Sequence, residues 1–332
     1  INSKKIQNKN LFIAIKGKVN DGHNFVNEAI QKGASLSVIS NNSKKNNKII
    51  KVANTMVFLN QLAKKFRNTS SAKFIGITGS TGKTTVKTML GTLLKEYSNT
   101  YFAPHSYNNH YGVPLSLCNM NLYHKYGVFE IGMSRQKEIY KLSALVRPHI
   151  ATITNISEAH LENFKNIKGI AKAKSEIIYN IQKDGAIVLN RDDKFFNYFK
   201  KIAEKRKIRV ISFGYSKKAN IQFLNILKDR ENFLLKVLID KKRFDLNISN
   251  NNKNFIMNIL CCLGILEELN LSFSKIKKFF KYQSFLKGRG KINKVIKFNK
   301  KFFLIDESYN ANPLSVKSAI ENFGNIKKRN KK

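Results

Sequence analysis

The stretch FIGITGSTGKTTVKTML, Phe74 to Leu90, constrains the fold more than any other part of the chain. It runs from an apolar strand through a glycine-rich turn into a helix opened by Lys83-Thr84-Thr85. α/β proteins hold phosphate groups at turns built in this order. Gly79 and Gly82 permit backbone conformations closed to residues with a Cβ. Successive amide N–H groups can then converge on phosphate oxygens, and the helix N-terminus adds partial positive charge. Ser80, Thr81 and Thr85 complete the cradle, with Lys83 placed to reach the β- and γ-phosphates and the Thr84 hydroxyl to meet Mg²⁺. The spacing departs from the common phosphate loop, because Ile77 to Thr81 put one residue too many between Gly76 and Gly82. The loop by itself says nucleotide and names no reaction.

A chain of 332 residues with 42% hydrophobic content can bury two or three packed cores. Leu11–Ile15 and Leu36–Ile39 read as strands, and His23–Lys32 and Ile50–Phe66 as helices, giving a small α/β unit over residues 1–70. A linker-like RNTSSA closes that unit. The second unit, residues 71–297, alternates strands at Phe74–Thr78, Tyr126–Ile131, His149–Asn155, Gly185–Leu189 and Val210–Phe213 with helical patterns at Lys83–Tyr97, Lys137–Leu145 and Ile167–Asn180. That alternation implies a mostly parallel sheet covered on both faces. Three further strands, Ile221–Leu227, Phe233–Ile239 and Arg243–Ile248, read as an antiparallel edge, followed by helices over Phe255–Leu269 and Ser274–Lys281. Residues 298–332 open a third unit on the strand KKFFLIDES, but a domain needs roughly 50 residues or more. With Ile rather than Met at position 1, the expectation is a fragment, cut inside its third domain, that retains some nucleotide affinity without full turnover.

The formal net charge of +40 raises nucleic-acid or anionic-membrane binding as one possibility. The lysines are spread along the chain, however, and no RNA-recognition signature or zinc-finger spacing appears, so a compositional origin is the expectation and no specific nucleic-acid partner is expected. Cys118, Cys261 and Cys262 make no disulfide framework and fit a reducing cytoplasm. No apolar run is long enough to span a bilayer. A monomer is expected.

Four more segments surround the loop in order: YNNHYGVPLSL at 107–117, FEIGMSRQKEI at 129–139, RPHIATITNISEAHLENFKNIKGIAKAKSEII at 147–178 and LIDESYNANPLSV at 304–316. Together with GITGSTGKTT, whose spacing is Gly-x-x-Gly-x-x-Gly-Lys-Thr-Thr, they resemble the Mur ligases of bacterial cell-wall synthesis. NNHYGVP and YNANP are most similar to the branch of that family that adds D-alanyl-D-alanine to UDP-N-acetylmuramoyl-tripeptide. The resemblance covers nearly the whole chain. It implies three domains: a UDP-sugar-binding unit, a central ATP-binding domain with a P-loop-type sheet, and a Rossmann-like C-terminal domain. It implies ATP-dependent amide formation through an acyl phosphate, with two Mg²⁺ ions.

Residue by residue, the resemblance makes Glu130 a Mg²⁺ ligand at the end of an apolar strand, and His160 a ligand to a second Mg²⁺. Lys172 and Lys174 point to nearly opposite helix faces, so one of them is solvated. The family pattern places a metal-binding lysine carbamate in the Lys174 register, which requires a neutral, partly buried amine. Arg289 resembles the arginine that contacts the γ-phosphate from the domain junction, Asp306 the residue that bonds the ATP ribose, and Asn258 an adenine-side asparagine. Asn108, Asn109, Tyr309, Asn310 and Asn312 fall on the substrate side, and Ser3 on the uridine side. Asn312 followed by Pro313 also suits an ordinary capped helix start.

The chain departs from the pattern in several places. Asn2-Ser3-Lys4 replaces Asp-Ser-Arg, Ala103 and Ser106 stand where Thr and Asn are usual, and Asn254 occupies a His register. Two other readings compete: a related ligase of the diaminopimelate-adding or folylpolyglutamate type, and a nucleic-acid-stimulated P-loop ATPase.

Overall fold

The computed structural model describes residues 1–41, 46–158, 163–229, 232–281, 288–298, 300–309 and 313–329. The chain forms two compact units, Ile1–Ser70 with Leu117–Asn119, and Ser71–Ser116 with Met120–Lys332. In the first, strands β1 (Leu11–Ile13), β2 (Leu36–Ile39) and β3 (Ile49–Lys51) form a parallel sheet, with helices α1 (Val26–Gln31) and α2 (Thr55–Thr69). The helix expected over Ile50–Phe66 starts later, since Ile50 and Lys51 belong to β3. Asn54 sets the start, its side chain accepting from the N–H groups of Met56 and Val57.

In the second unit, β4 (Lys73–Thr78) lies inside a nine-stranded sheet and leads into α3 (Lys83–Lys95). The elements that follow are β5 (Thr100–Phe102), α4 (Gly112–Cys118), β6 (Tyr126–Glu130), α5 (Glu138–Val146), β7 (Ile150–Ile153), α6 (Ile167–Ser175), β8 (Ala186–Asn190), α7 (Phe196–Lys205) and β9 (Arg209–Gly214). After these come β10 (Ile221–Asp229), β11 (Asn232–Ile239), β12 (Lys242–Ile248) and α8 (Lys253–Glu268). The strand order is β12-β11-β10-β9-β8-β7-β4-β6-β5, parallel from β5 to β10 and antiparallel beyond, as the alternation predicted. The order reverses at β4, which pairs with β6 on one side and β7 on the other. Ligands of open α/β sheets bind at the carboxyl ends of the strands beside such a switch point.

Alternating residues divide the faces of this sheet. Ile75 and Ile77 of β4 join one core with Val86, Leu90, Leu93 and Leu94 of α3 and Ile259, Leu263 and Leu266 of α8. On the opposite face Gly76 leaves room for Ile177, whose Cδ1 would lie 3.3 Å from a Cβ added there.

Sequence patterning missed the short strand β5, the helices α4 and α7, and the strand β13 (Lys291–Lys297), which pairs with β14 (Lys300–Asp306) ahead of α9 (Pro313–Arg329). The helix expected at Ser274–Lys281 is instead two 3-10 turns, Phe273–Ile276 and Phe279–Lys281. The carbonyls of Lys277 and Phe280 accept from Asn247 and Ser249 N–H at the edge of the sheet, and Phe273, Ile276 and Phe280 are all buried. A continuous helix would give the Lys277 carbonyl to the N–H of Lys281, which bonds the Lys278 carbonyl instead.

Ile259 is fully buried between sheet and helix. Ile259→Ala should lower unfolding stability by about 2–5 kcal/mol, read from the denaturant midpoint at constant slope.

Candidate functional site

The site forms where β4, β6 and β7 end. Gly79 has φ +148°, and a Cβ there would collide with Thr154 Oγ1; Gly82 has φ +81° and caps α3. These values explain why both positions are glycine. The loop is bonded to the chain leaving β7. Ser80 N–H donates to the Asn155 carbonyl at 2.9 Å, and Thr81 N–H and Oγ1 reach Asn155 Oδ1 at 3.0 and 3.1 Å. Ser157 N–H donates to Ser80 Oγ at 2.9 Å, and Thr154 Oγ1 donates to the Thr81 carbonyl at 2.5 Å. On the other side Asn258, from α8, places its Oδ1 2.9 Å from where a Gly82 Cβ would be.

Two lysines share the Gly79 carbonyl: Lys83 Nζ donates to it at 2.8 Å and Lys174 Nζ at 3.0 Å. Lys83 also donates to the Ser80 carbonyl at 3.2 Å. Lys174 is only 2% exposed, whereas Lys172 is exposed, which resolves the alternative left open by helix geometry. Burial, reinforced by the Lys83 charge, holds the Lys174 ammonium well below the ordinary lysine range. Burial also lowers Lys83, with Glu130 opposing and Arg289 adding to the effect.

Glu130 ends β6 and is 3% exposed. Its Oε2 accepts from Thr84 Oγ1 at 2.8 Å and its Oε1 from Asn108 Nδ2 at 2.7 Å. Thr84 Oγ1 lies 2.9 Å from Ser106 Oγ and accepts from Arg289 Nη2 at 3.0 Å. With its one proton on Glu130, Thr84 takes its bond from Ser106 as acceptor. Both hydrogen-bond partners of this buried carboxylate among the described residues are neutral, and buried carboxylates are normally paired with cations or metals. The oxygens of Thr84, Ser106 and Glu130 are hard donors of the kind Mg²⁺ takes, so the residues present fit that ion.

Gly82, Lys83, Thr84, Glu130, Lys174 and Arg289 line a cavity of about 480 Å³, together with Ser80, Thr81, Asn108, Asn109 and Tyr309. A second cavity of about 430 Å³ shares Thr81, Gly82, Arg289 and Tyr309 and extends past Thr85 and Asn258 to Asn190, Asp192 and Tyr215. The Arg289 guanidinium stands 4.0 Å over the Tyr309 ring. Asp306 accepts from Gly288 N–H at 2.9 Å and from Ser308 Oγ at 2.6 Å, which shapes the turn carrying Arg289. Asn109 caps α4, its Oδ1 accepting from Tyr111 and Gly112 N–H. In the first unit, buried Ser3 donates to Glu28 Oε2 at 2.9 Å. His160, Asn310 and Asn312 lie outside the described residues.

Sequence reasoning missed Asn155, Thr154, Lys87 and the second cavity's Asn190, Asp192 and Tyr215. Lys87 had a signal, because it lies on the same α3 stripe as Leu90 and Leu94 and a lysine on an apolar stripe is out of place. Asn155 follows a fully buried strand at the switch point.

Fold and site together define an α/β protein with a glycine-rich loop and a cation-lined cavity at the switch point of a mostly parallel sheet. Residues 1–67 match the model described as Mur ligase family, catalytic domain, and residues 77–266 the model described as Mur ligase middle domain. The UDP-N-acetylmuramoyl-tripeptide–D-alanyl-D-alanine ligase of Buchnera aphidicola (subsp. Baizongia pistaciae) is 36% identical over 98% of this chain and 70% of its own length. The protein of the same name from Rickettsia prowazekii is 35% identical over 99% of this chain and 73% of its own. Among solved structures, MurF from Acinetobacter baumannii superposes with a TM-score of 0.85 at 29% identity, covering 96% of this chain and 69% of that one. MurF ligase from Thermotoga maritima, in complex with ADP, gives 0.82 at 27% identity, covering 96% and 73%. The chain belongs to the Mur ligase family.

Gly79→Ala should abolish ADP binding measured by calorimetry, because the added Cβ displaces Thr154 and the Thr81 carbonyl it holds. Retained affinity would mean the loop does not cradle the phosphates.

Proposed function

We propose that the chain is an ATP-dependent ligase that joins UDP-N-acetylmuramoyl-tripeptide to D-alanyl-D-alanine. The observation that carries this is the cleft around the Gly79–Thr85 loop, where cationic side chains face an oxygen set of buried Thr84 and Glu130 with half-buried Ser106. The names of the two relatives more than a third identical across the chain support the substrate pair.

A tripeptide carboxylate oxygen attacks the γ-phosphorus of ATP, the bond to the β-phosphate oxygen breaks, and ADP leaves. The dipeptide amine then attacks the acyl phosphate carbonyl; phosphate departs and the amine loses a proton. Two anions must meet in the first step, so the chain's part is chiefly electrostatic. Lys83 lies on the loop with its ammonium on the Gly79 and Ser80 carbonyls, ready to exchange them for phosphate oxygens. Arg289 reaches the same place from the turn held by Asp306, whose further role is the ribose contact. Thr84 and Glu130 would hold one Mg²⁺, which screens phosphate charge when bound. His160, outside the described residues, would serve a second. Asn258 and Thr85 face the adenosine side, Asn108, Asn109, Tyr309, Asn310 and Asn312 the peptide side, and Ser3 the uridine side. Residues 1–70, 71–297 and 298 onward are assigned to the UDP-sugar, ATP-binding and C-terminal domains. Among the described residues no helix is long and apolar enough to cross a membrane. A cytoplasmic, monomeric enzyme is part of this proposal, and its three free cysteines support a reducing compartment.

An ADP-release assay on the full-length protein tests the reading. UDP-N-acetylmuramoyl-tripeptide plus D-alanyl-D-alanine should support turnover. Turnover with diaminopimelate or glutamate alone would refute it, and stimulation by RNA or DNA would favour the polyanion-driven ATPase.

Lys174 is assigned a carbamate. Its buried amine, held below the ordinary lysine range, is available in the neutral form that reacts with CO₂. Turnover should fall in CO₂-free buffer and recover with bicarbonate; indifference to both would leave Lys174 an uncharged amine on the Gly79 carbonyl.

A further inference from the structure

Lys87 is fully buried one helical turn beyond Lys83, yet no phosphate-loop chemistry calls for it. Burying an ammonium is costly unless its hydrogen bonds are met. Its Nζ donates to the Ala103 carbonyl at 2.6 Å and to the His105 carbonyl at 2.8 Å. Both carbonyls belong to the irregular segment leaving β5, and the next residues carry polar groups into the site. Ser106 Oγ stands 2.9 Å from Thr84 Oγ1, and Asn108 Nδ2 donates to Glu130 at 2.7 Å. This segment has few regular backbone bonds to hold it: Tyr107 and Asn108 N–H bond only two residues back, to the carbonyls of His105 and Ser106. Within it, the direct bonds to α3 are the two from Lys87 and the one from Ser106 to Thr84.

We propose that Lys87 is a positioning residue: it fastens the 103–106 segment to the helix behind the phosphate loop, so that Ser106 Oγ joins Thr84 and Glu130 as a third oxygen facing a divalent cation. Ser106 thereby supplies an oxygen at a register where the chain departs from its family pattern. Its serine is shorter than the usual asparagine, and the strap at Ala103 and His105 fixes the backbone close enough for the short side chain to reach. A lysine suits the task because its three donors radiate from one point and can bridge two carbonyls of a single turn. Burial lowers the Lys87 ammonium below the ordinary lysine range, and the Glu130 charge opposes that shift.

This inference rests on the nucleotide reading of the site, and the experiment separates the two. ADP affinity is measured by calorimetry, with Mg²⁺ and with chelator, for the wild type, Lys87→Met, Ser106→Ala and the double variant. Thermal unfolding serves as the folding control. In the wild type Mg²⁺ should tighten ADP binding. Lys87→Met should cut that metal-dependent gain at least fivefold, Ser106→Ala should cut it similarly, and the double variant should lose little more than either alone, because both act on one oxygen. Lys87→Arg, which keeps the charge and can reach both carbonyls, should recover part of the gain. An undiminished gain in Lys87→Met, or losses that simply add in the double variant, overturns the proposal. Should Lys87→Met fail to fold, Ser106→Ala decides alone, and an unchanged gain there has the same meaning. A wild type that binds no ADP counts against the nucleotide reading instead.

Discussion

The Gly79 carbonyl, accepting from both Lys83 and Lys174, is the contact on which the rest of the site depends. It brings two lysine side chains to one oxygen, with Lys174 buried and Lys83 partly so. Arg289 and Lys87 add further cationic groups close to the buried carboxylate of Glu130. Burial pulls all three lysines toward their neutral forms, and Lys83 and Arg289 act in the same direction on their neighbours. An arrangement of this kind is costly without an anion and favourable with one. The loop is bonded to the chain leaving β7: Thr154, Asn155 and Ser157 hold the Thr81 carbonyl, the N–H groups of Ser80 and Thr81, and the Ser80 hydroxyl. Preorganised positive charge aimed at a transferring phosphoryl group is usually the largest single effect such a site can exert.

Much of this was legible in the sequence, for identifiable reasons. A parallel sheet declares itself through alternating strand and helix patterns, and its mostly parallel character followed from them; the strand order did not, nor did elements with weak patterns. Strand β5 has three residues, and β13 alternates apolar residues with lysines and an asparagine in a part of the chain where lysine is everywhere. The expected helix at Ser274–Lys281 failed because its carbonyls are claimed by the edge of the sheet, a tertiary demand that no local pattern records. The loop glycines, Glu130 and Arg289 were found because short motifs carry them. Asn155 and Lys87 were not, because their roles depend on which segments the topology brings together. Asn155 lies 74 positions from Thr81 in the chain, and only the pairing of β4 with β7 makes them neighbours.

The resemblance and the geometry contribute different things. The motif order pointed to a family, and the similarity across nearly the whole chain establishes it. Neither says how a site tolerates substitutions at registers that carry its chemistry. Ala103 and Ser106 looked like losses when read from the sequence. In the structure Ala103 is buried and its carbonyl accepts from Lys87, while Ser106 reaches Thr84 directly. A departure from a pattern is thus judged by the atoms that face the site, which for Ala103 are backbone atoms that any residue would supply.

Thr84 shows how the parts constrain one another. A hydroxyl has one proton to give and two lone pairs to share. Thr84 gives its proton to Glu130 and accepts from Ser106 and Arg289, so its oxygen is saturated. A cation can bond to that oxygen only by displacing one of the two donors. Ser106 is held by the segment that Lys87 straps to α3, whereas Arg289 has further N–H groups and the Tyr309 face to rest on. The cheaper displacement is that of Arg289. Its turn is fixed by Asp306 to the start of β13 and the end of β14, which keeps the guanidinium beside the site. A cation bound at Thr84 would therefore compete with Arg289 for a single hydroxyl oxygen, leaving the guanidinium available to an anion.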